Sequence, residues 1–241
     1  MARPLNIVVV GSLGRMGTKV VSLAGTDKRF RVAAQVDKDP EPGASLPAGV
    51  LPVSALASAL AKADVVIDFT SAEASVRVAA AAAKAKVPAV IGSTGFNTVQ
   101  SAQLRAASRS IALLLSPNMS PAVNLLFHLA GIASAILKDY EISISESHHS
   151  MKKDAPSGTA LALAKRIQEA RKSPTEVPTV SQRMGDIIGE HTLTLAGPHE
   201  RLELVHRAHS RDLFARGALE ASLWIKGRKP GLYGMRDMLG L

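Results

Sequence analysis

Cysteine is absent from the 241 residues. That excludes disulfides, thiolate catalysis and zinc–sulfur sites, and it fits a reducing compartment. Aromatic residues are scarce, at one Trp, two Tyr and five Phe, which leaves little from which to build stacking platforms for single-stranded nucleic acid. No long uninterrupted apolar run occurs. The Ala-rich stretch from Val76 to Val90 is broken by Arg77, Lys84, Lys86 and Pro88, so it is not expected to span a membrane. No signal peptide is expected ahead of Leu5 to Val10, because that run already leads into a glycine loop. A cytoplasmic setting is the default expectation.

The chain is long enough for one large domain or two modest ones. Hydrophobic residues make up 46% of it and the formal net charge is +9. A basic chain attracts phosphate polymers, but here Lys and Arg are scattered through both halves rather than massed in a stripe. Scattered charge without aromatics favours small anionic ligands over nucleic acid.

The first half alternates short β-branched runs with Ala-rich segments. Strands are expected at Leu5–Val10, Arg31–Val36, Val65–Phe69, Pro88–Ile91 and Ile111–Leu115, and helices at Thr18–Ala24, Ala55–Ala61, Glu73–Lys84 and Thr98–Ser108. Strands that are apolar throughout, alternating with helices, predict an α/β fold: a Rossmann-like, doubly wound parallel sheet covered on both faces. Thr70-Ser71-Ala72-Glu73 reads as a capping box.

After Met119 the pattern changes. Ser120-Pro121 starts a helix running to about Leu137. Glu141–Glu146, His191–Leu195 and Leu202–His206 then alternate, with Ile142 and Ile144 on one face and Ser143 and Ser145 on the other. Alternation predicts a second, α+β domain with an open mixed sheet covered on one face. Glu169–Val180 reads as a loop, and Arg211–Lys226 as a helix returning to the first domain. The expected division is residues 1–119, 120–210 and a C-terminal segment 211–241.

Two segments carry chemistry. In the first, a strand is followed by Gly11, Gly14 and Gly17 and then a helix. Gly11 permits a tight turn, Gly14 lets backbone approach a pyrophosphate, and Gly17 lets the helix sit close to the strand. Asp37, about twenty residues on, stands where an acid holds adenosine ribose hydroxyls, and Lys38 beside it can meet a 2′-phosphate. Hence NADH or NADPH is the expected cofactor. Asp68-Phe69-Thr70 and Gly92-Ser93-Thr94 fall just past strand ends, where ligands bind in such sheets. The second segment runs from Glu146 to Thr159 and holds His148, His149, Lys152 and Lys153. Ser157-Gly158-Thr159 opens a helix whose N–H groups are expected to be free for a carboxylate. Lys152 supplies countercharge and a proton. Metal ligation by the histidines is not expected, since they point to opposite sides of a strand and no acidic cluster accompanies them.

These motifs together resemble the 4-hydroxy-tetrahydrodipicolinate (dihydrodipicolinate) reductase family of the diaminopimelate route to lysine. The likeness spans Gly11-x-x-Gly14-Arg15-Met16-Gly17, Asp68-Phe69-Thr70, Gly92-Ser93-Thr94-Gly95-Phe96, Ser116-Pro117-Asn118-Met119-Ser120, Glu146-Ser147-His148-His149, Lys152-x-Asp154-Ala155-Pro156-Ser157-Gly158-Thr159, Gly189-Glu190-His191-Thr192 and Gly231-Leu232-Tyr233-Gly234-Met235-Arg236-Asp237. The resemblance implies a nicotinamide enzyme that reduces a cyclic imine-type dicarboxylate to tetrahydrodipicolinate, with residues 120–210 serving substrate binding and oligomerisation. It implies His148 as general acid and Lys152 as proton donor. His149, Lys152, Ser157, Gly158 and Thr159 are implied as carboxylate binders. Gly11, Gly14, Arg15, Met16, Gly17, Asp37, Lys38, Phe69, Thr70, Gly92, Ser93, Thr94, Ser116, Asn118 and Met119 are implied as cofactor contacts. It also implies hinges near Ser116–Ser120 and His209–Arg211, a homotetramer built through second-domain sheets, and no nucleic-acid or membrane partner.

Two other readings are weighed against it. A different two-domain amino-acid dehydrogenase would share the plan but not the His-His-Lys segment. A redox-sensing regulator would bind nucleic acid through its basic surface, but has no use for that segment either.

Overall fold

The computed structural model describes residues 3–241. The chain forms two compact units, one of residues 3–119 with 212–240 and the other of Ser120–Arg211.

The first unit is a seven-stranded sheet. In chain order its elements are β1 (Leu5–Val10), α1 (Arg15–Thr26), β2 (Phe30–Asp37), β3 (Val50–Pro52), α2 (Leu56–Leu60), β4 (Val65–Asp68), α3 (Ala72–Ala85), β5 (Ala89–Ile91), α4 (Thr98–Ser108) and β6 (Ala112–Leu115). Every strand pairs in parallel, and the order across the sheet is β11-β6-β5-β4-β1-β2-β3, where β11 is Gly231–Tyr233. The period of two along each strand sends alternate side chains to opposite faces. Leu5, Ile7, Val9, Val65, Ile67, Val90, Ala112 and Leu114 join one core with residues of α1 and of the later helix α7 (Asp212–Ile225). Val8, Val10, Val66, Ala89, Ile91 and Leu113 join the other, with residues of α2, α3 and α4. Both faces are therefore covered, which is why these strands read as apolar throughout.

Three local differences from the sequence reading have physical causes. Ser71, not Thr70, caps α3 by accepting the Ala74 N–H at 3.3 Å, because Thr70 is turned inward to donate to Asp68 Oδ1 at 2.7 Å. Glu73 bonds Arg77 one turn on, at 2.6 Å, rather than closing a capping box. The three-residue strands β3 and β11 and the five-residue helix α8 (Met235–Leu239) are too short to show a period.

The second unit contains α5 (Pro121–Ile136), β7 (Glu141–His148), α6 (Gly158–Arg171), β8 (Thr179–Arg183), β9 (Glu190–Ala196) and β10 (Arg201–Arg207). Its sheet runs β10-β9-β7-β8 and is mixed, parallel between β7 and β8 and antiparallel elsewhere. Ile142, Ile144, Leu193 and Leu195 face a core closed by α5 and α6, through Leu126, Ala130, Leu163 and Ile167. The segment expected to be a loop over 169–180 is shorter: α6 runs on to Arg171 and β8 begins at Thr179. Among the described residues, no helix is long and apolar enough to cross a membrane.

Candidate active site

In the first unit, β1 delivers the chain to Gly11, whose φ of +76° places it in the left-handed region where glycine is favoured. Gly17, in the first turn of α1, lies against that turn. A Cβ there would stand 2.0 Å from Gly11 O, so only glycine lets helix and loop meet. Asp37, at the end of β2, ties the loop down. Its Oδ2 accepts from Leu13 N–H at 2.7 Å and its Oδ1 from Lys38 N–H at 2.9 Å. Lys38 is exposed.

Arg15, Met16, Phe69, Thr70, Gly92, Ser93 and Thr94 line one cavity of about 230 Å³. The ends of β4 and β5 and the start of α1 thus bring seven of the expected cofactor residues together. Under this wall Asp68 is fully buried, and burial pushes its carboxyl up to about 6 against the opposing hydrogen bonds from Ser75 and Thr70. At the end of β6, Ser116 Oγ donates to Asn118 O at 2.8 Å. The Met119 side chain lies in the core at 1% exposure, so only its backbone is available to a ligand.

These residues fit a dinucleotide. A close-packed glycine turn leads into a helix with no acidic residue in its first turn, an acid stands at the end of β2, and Ser12 Oγ is buried with no hydrogen-bond partner among the described residues.

In the second unit, the parity that points Ile142 and Ile144 into the core also points Glu146 and His148 inward. In register, His191 of β9 lies opposite Glu146, and Arg183 of β8 lies opposite His148. Glu146, with its side chain fully buried, is the hub. His148 Nδ1 donates to Oε2. Arg183 Nη1 donates to Oε2 at 3.1 Å and Nη2 to Oε1 at 2.7 Å. The Ser157 N–H donates to Oε1 at 3.2 Å. Burial works against the Glu146 charge, but the Arg183 guanidinium and the other donors outweigh it and hold the carboxyl down to about 2.

Burial holds His148 below the ordinary histidine value despite Glu146. Burial takes His191 further, to about 4, helped by the neighbouring His148. The two rings meet edge to face with centroids 5.2 Å apart. Ser157 caps α6, its Oγ accepting the Ala160 N–H at 3.2 Å and lying 3.1 Å from His191 Nε2.

Two expectations are corrected here. The Ser157 and Ala160 N–H groups are engaged by Glu146 and by Ser157 Oγ respectively, so the helix start does not offer a full set of free donors. An acidic group does accompany the histidines: one ligand atom each from Glu146, His148 and His191 lie within 4.8 Å of one another, a spacing that could hold a metal ion. Both carboxylate oxygens already bind Arg183, and a divalent ion would have to displace that guanidinium.

Beyond β7 a turn closed by Lys152 N–H on His149 O at 3.0 Å brings back Lys152. Its Nζ donates to both Asp154 oxygens, at 2.7 and 2.8 Å. Arg211, which can only donate, bonds His149 Nε2 at 3.1 Å. Gly158 and Thr159 form the first turn of α6. Lys152 and His149 share this turn, and Arg183 links the turn to the start of α6 by donating both to Asp154 O and to Glu146, the acceptor of the Ser157 N–H. Arg183, Arg211 and the role of Glu146 escaped the sequence reading. Continuing the Ile142–Ile144 alternation by two steps would have placed Glu146 and His148 inside, but nothing local marks Arg183 or Arg211.

A parallel sheet with a glycine turn at its nucleotide-binding edge, joined in one chain to a mixed sheet bearing a buried histidine and a lysine, defines a two-unit dehydrogenase-type fold. The family can then be stated: the model of the dihydrodipicolinate reductase N-terminus matches residues 5–119, that of its C-terminus matches residues 122–239, and the chain belongs to this family. The chain is 43% identical over 263 residues to 4-hydroxy-tetrahydrodipicolinate reductase of Anaeromyxobacter dehalogenans strain 2CP-1, covering 98% of this chain and 97% of the relative. It is 42% identical over 263 residues to the reductase of the same name from Aquifex aeolicus, covering 98% and 99%. The fold superposes on dipicolinate-bound dihydrodipicolinate reductase from Paenisporosarcina sp. TG-14 with a TM-score of 0.83 at 23% identity, covering 98% of this chain and 99% of that one.

Proposed function

We propose that the chain catalyses NAD(P)H-dependent reduction of 4-hydroxy-tetrahydrodipicolinate to tetrahydrodipicolinate, on the diaminopimelate route to lysine. The observation that carries the reading is the Glu146–Thr159 segment, which gathers a buried histidine, a lysine and a helix start in a chain whose relatives bear that name over nearly its full length.

Gly11, Gly14, Arg15, Met16 and Gly17 hold the pyrophosphate side of the cofactor, and Asp37 and Lys38 its adenosine end. Phe69, Thr70, Gly92, Ser93, Thr94, Ser116, Asn118 and the Met119 backbone line the rest. Reduced nicotinamide, when bound, supplies the hydride. His149, Lys152, Ser157, Gly158 and Thr159 hold the substrate carboxylates, where cation charge and helix N–H groups favour an anion. His148 Nε2 is the atom that gives up a proton, and Lys152 supplies a second donor. Two carboxylates beside His148 favour its imidazolium form, which offsets the effect of burial and lets a histidine held low in the free protein act as an acid on the complex.

The assembly is a homotetramer in the cytoplasm. Exposed apolar side chains at Leu202 and Val205 of β10 and Val180 of β8 support an interface through the second unit's sheet.

The test generates the unstable substrate in place from pyruvate and aspartate semialdehyde with the preceding synthase, and follows reduced-nicotinamide absorbance with NADH and NADPH in parallel. Oxidation that needs every component supports the reading, and the rate ratio gives the cofactor preference. No oxidation, with cofactor binding and substrate formation both demonstrated, overturns the substrate assignment.

A further inference from the structure

His148 is held on one side only. Its Nδ1 bonds the Glu146 carboxylate, while Nε2 has no hydrogen-bond partner among the described residues. An ionised carboxylate can only accept, so the bonded nitrogen must carry the hydrogen. We propose that Glu146, itself clamped by Arg183, is a positioning residue that fixes His148 in the Nδ1–H tautomer and so directs its labile proton to Nε2. The inference rests on the reading of His148 as the acid.

The proton balance is simple. Nε2–H of the imidazolium passes its proton to the substrate, the ring returns to the neutral Nδ1–H form, and Glu146 stays ionised throughout. Arg183 makes this possible in two ways. It pairs a carboxylate that is otherwise wholly buried, which an unpaired charge would not tolerate. It also places a positive charge behind Glu146, which limits how far that carboxylate draws His148 into permanent protonation. The charged and titratable groups facing the ring are Glu146 on its own strand, Arg183 on β8, His191 on β9 and Lys152 on the loop that follows. Among the described residues, only Glu146 is bonded to it.

The geometry gives Glu146→Gln a sharp consequence. Oε1 faces two groups that can only donate, Arg183 Nη2 at 2.7 Å and the Ser157 N–H at 3.2 Å, whereas Oε2 faces one, Arg183 Nη1 at 3.1 Å, together with an imidazole that can change tautomer, so the glutamine carbonyl takes the Oε1 position. Its NH₂ then faces His148 Nδ1, which must accept. The ring is driven to the Nε2–H tautomer, and proton transfer is mis-registered. Loss of the correct tautomer in a comparable carboxylate–histidine pair costs up to about 10⁴-fold in turnover.

The experiment uses full-length protein with ¹⁵N-labelled histidine and reads the two ring nitrogens of His148 in wild type, Glu146→Gln and Glu146→Asp. The wild type is expected to show a protonated-type shift at Nδ1 and a bare-type shift at Nε2. Glu146→Gln is expected to exchange them and to lower kcat by about 100-fold or more, with KM for reduced cofactor unchanged. Glu146→Asp, which keeps the charge, is expected to keep the tautomer and recover part of the rate. The His191 and His206 signals report whether the sheet is intact, and Glu146→Asp carries the test if the glutamine variant does not fold. A wild-type ring in the Nε2–H form overturns the inference. So does an unchanged tautomer in Glu146→Gln while His148→Gln is inactive, and that outcome leaves the reductase reading standing. An exchanged tautomer with unchanged turnover removes His148 as the acid, and the positioning role with it.

Discussion

Arg183 reaches Glu146 diagonally across the parallel β7–β8 pair, bonding both carboxylate oxygens at 2.7 and 3.1 Å although its register partner is His148. The same guanidinium donates to Asp154 O at 2.6 Å. One side chain therefore ties the buried carboxylate to the loop that carries Lys152.

Removing that side chain leaves Glu146 charged and buried without its partner. Arg183→Met is expected to destabilise the second unit by about 3 kcal/mol, the scale for breaking a buried ion pair. Urea denaturation read by circular dichroism checks it. A loss below about 0.5 kcal/mol, the range of ordinary surface changes, contradicts the pairing.

Lys152 stands outside this cluster, half-buried and paired with Asp154. Lys152→Ala is expected to lower kcat/KM by about 10²–10³-fold through loss of a proton donor and carboxylate ligand. Reduced-cofactor affinity, measured by fluorescence titration, should stay within twofold. Equal losses in both would move Lys152 out of the substrate role.

The glycine turn gives the complementary result. A methyl at Gly17 would press within 2.0 Å of Gly11 O, so α1 must shift away from the loop. Gly17→Ala is expected to weaken cofactor binding at least about tenfold, the loss that follows when a tightly packed element is displaced. Binding of a dicarboxylate at the carboxylate site proposed above should persist. Calorimetry with each ligand separately distinguishes the two.

Stability of the second unit should depend on pH through Glu146 and through His148, His191 and His206, all three held by burial below the ordinary histidine value. His191 is held near 4 by burial, so between its ordinary value and 4 the unfolded chain takes up a proton that the folded chain does not. Stability falls as pH drops through that window. Glu146, held to about 2, adds a further loss below the ordinary carboxylate range. Asp68 acts oppositely. With its carboxyl raised to about 6, the first unit loses stability as pH rises towards 6 and changes no further above it. His191→Gln should reduce, not abolish, the loss between pH 6.5 and 4 in denaturation curves, since His148 and His206 contribute in the same window. A variant as acid-sensitive as the wild type would remove His191 as its source.

The parallel sheet was legible because its strands are apolar on both faces, and β7 because Ile142 and Ile144 alternate with Ser143 and Ser145. The glycine turn and the His-His-Lys segment stood out because each is contiguous in the chain. Arg183 and Arg211 did not. Each reaches its partner only through strand register or chain return, and each sits among ordinary surface residues. The capping box failed for a similar reason: Thr70 has the right residue type, but the buried Asp68 claims its hydroxyl.

On the proposed function, hydride passes from nicotinamide to the substrate ring. Reduced cofactor carrying two deuterium atoms at C4 is supplied together with substrate generated in place, and the product is weighed by mass spectrometry. Tetrahydrodipicolinate carrying one deuterium is expected, in a yield that falls with His148→Gln and Lys152→Ala. Cofactor oxidation without deuterium in the product rules out this transfer.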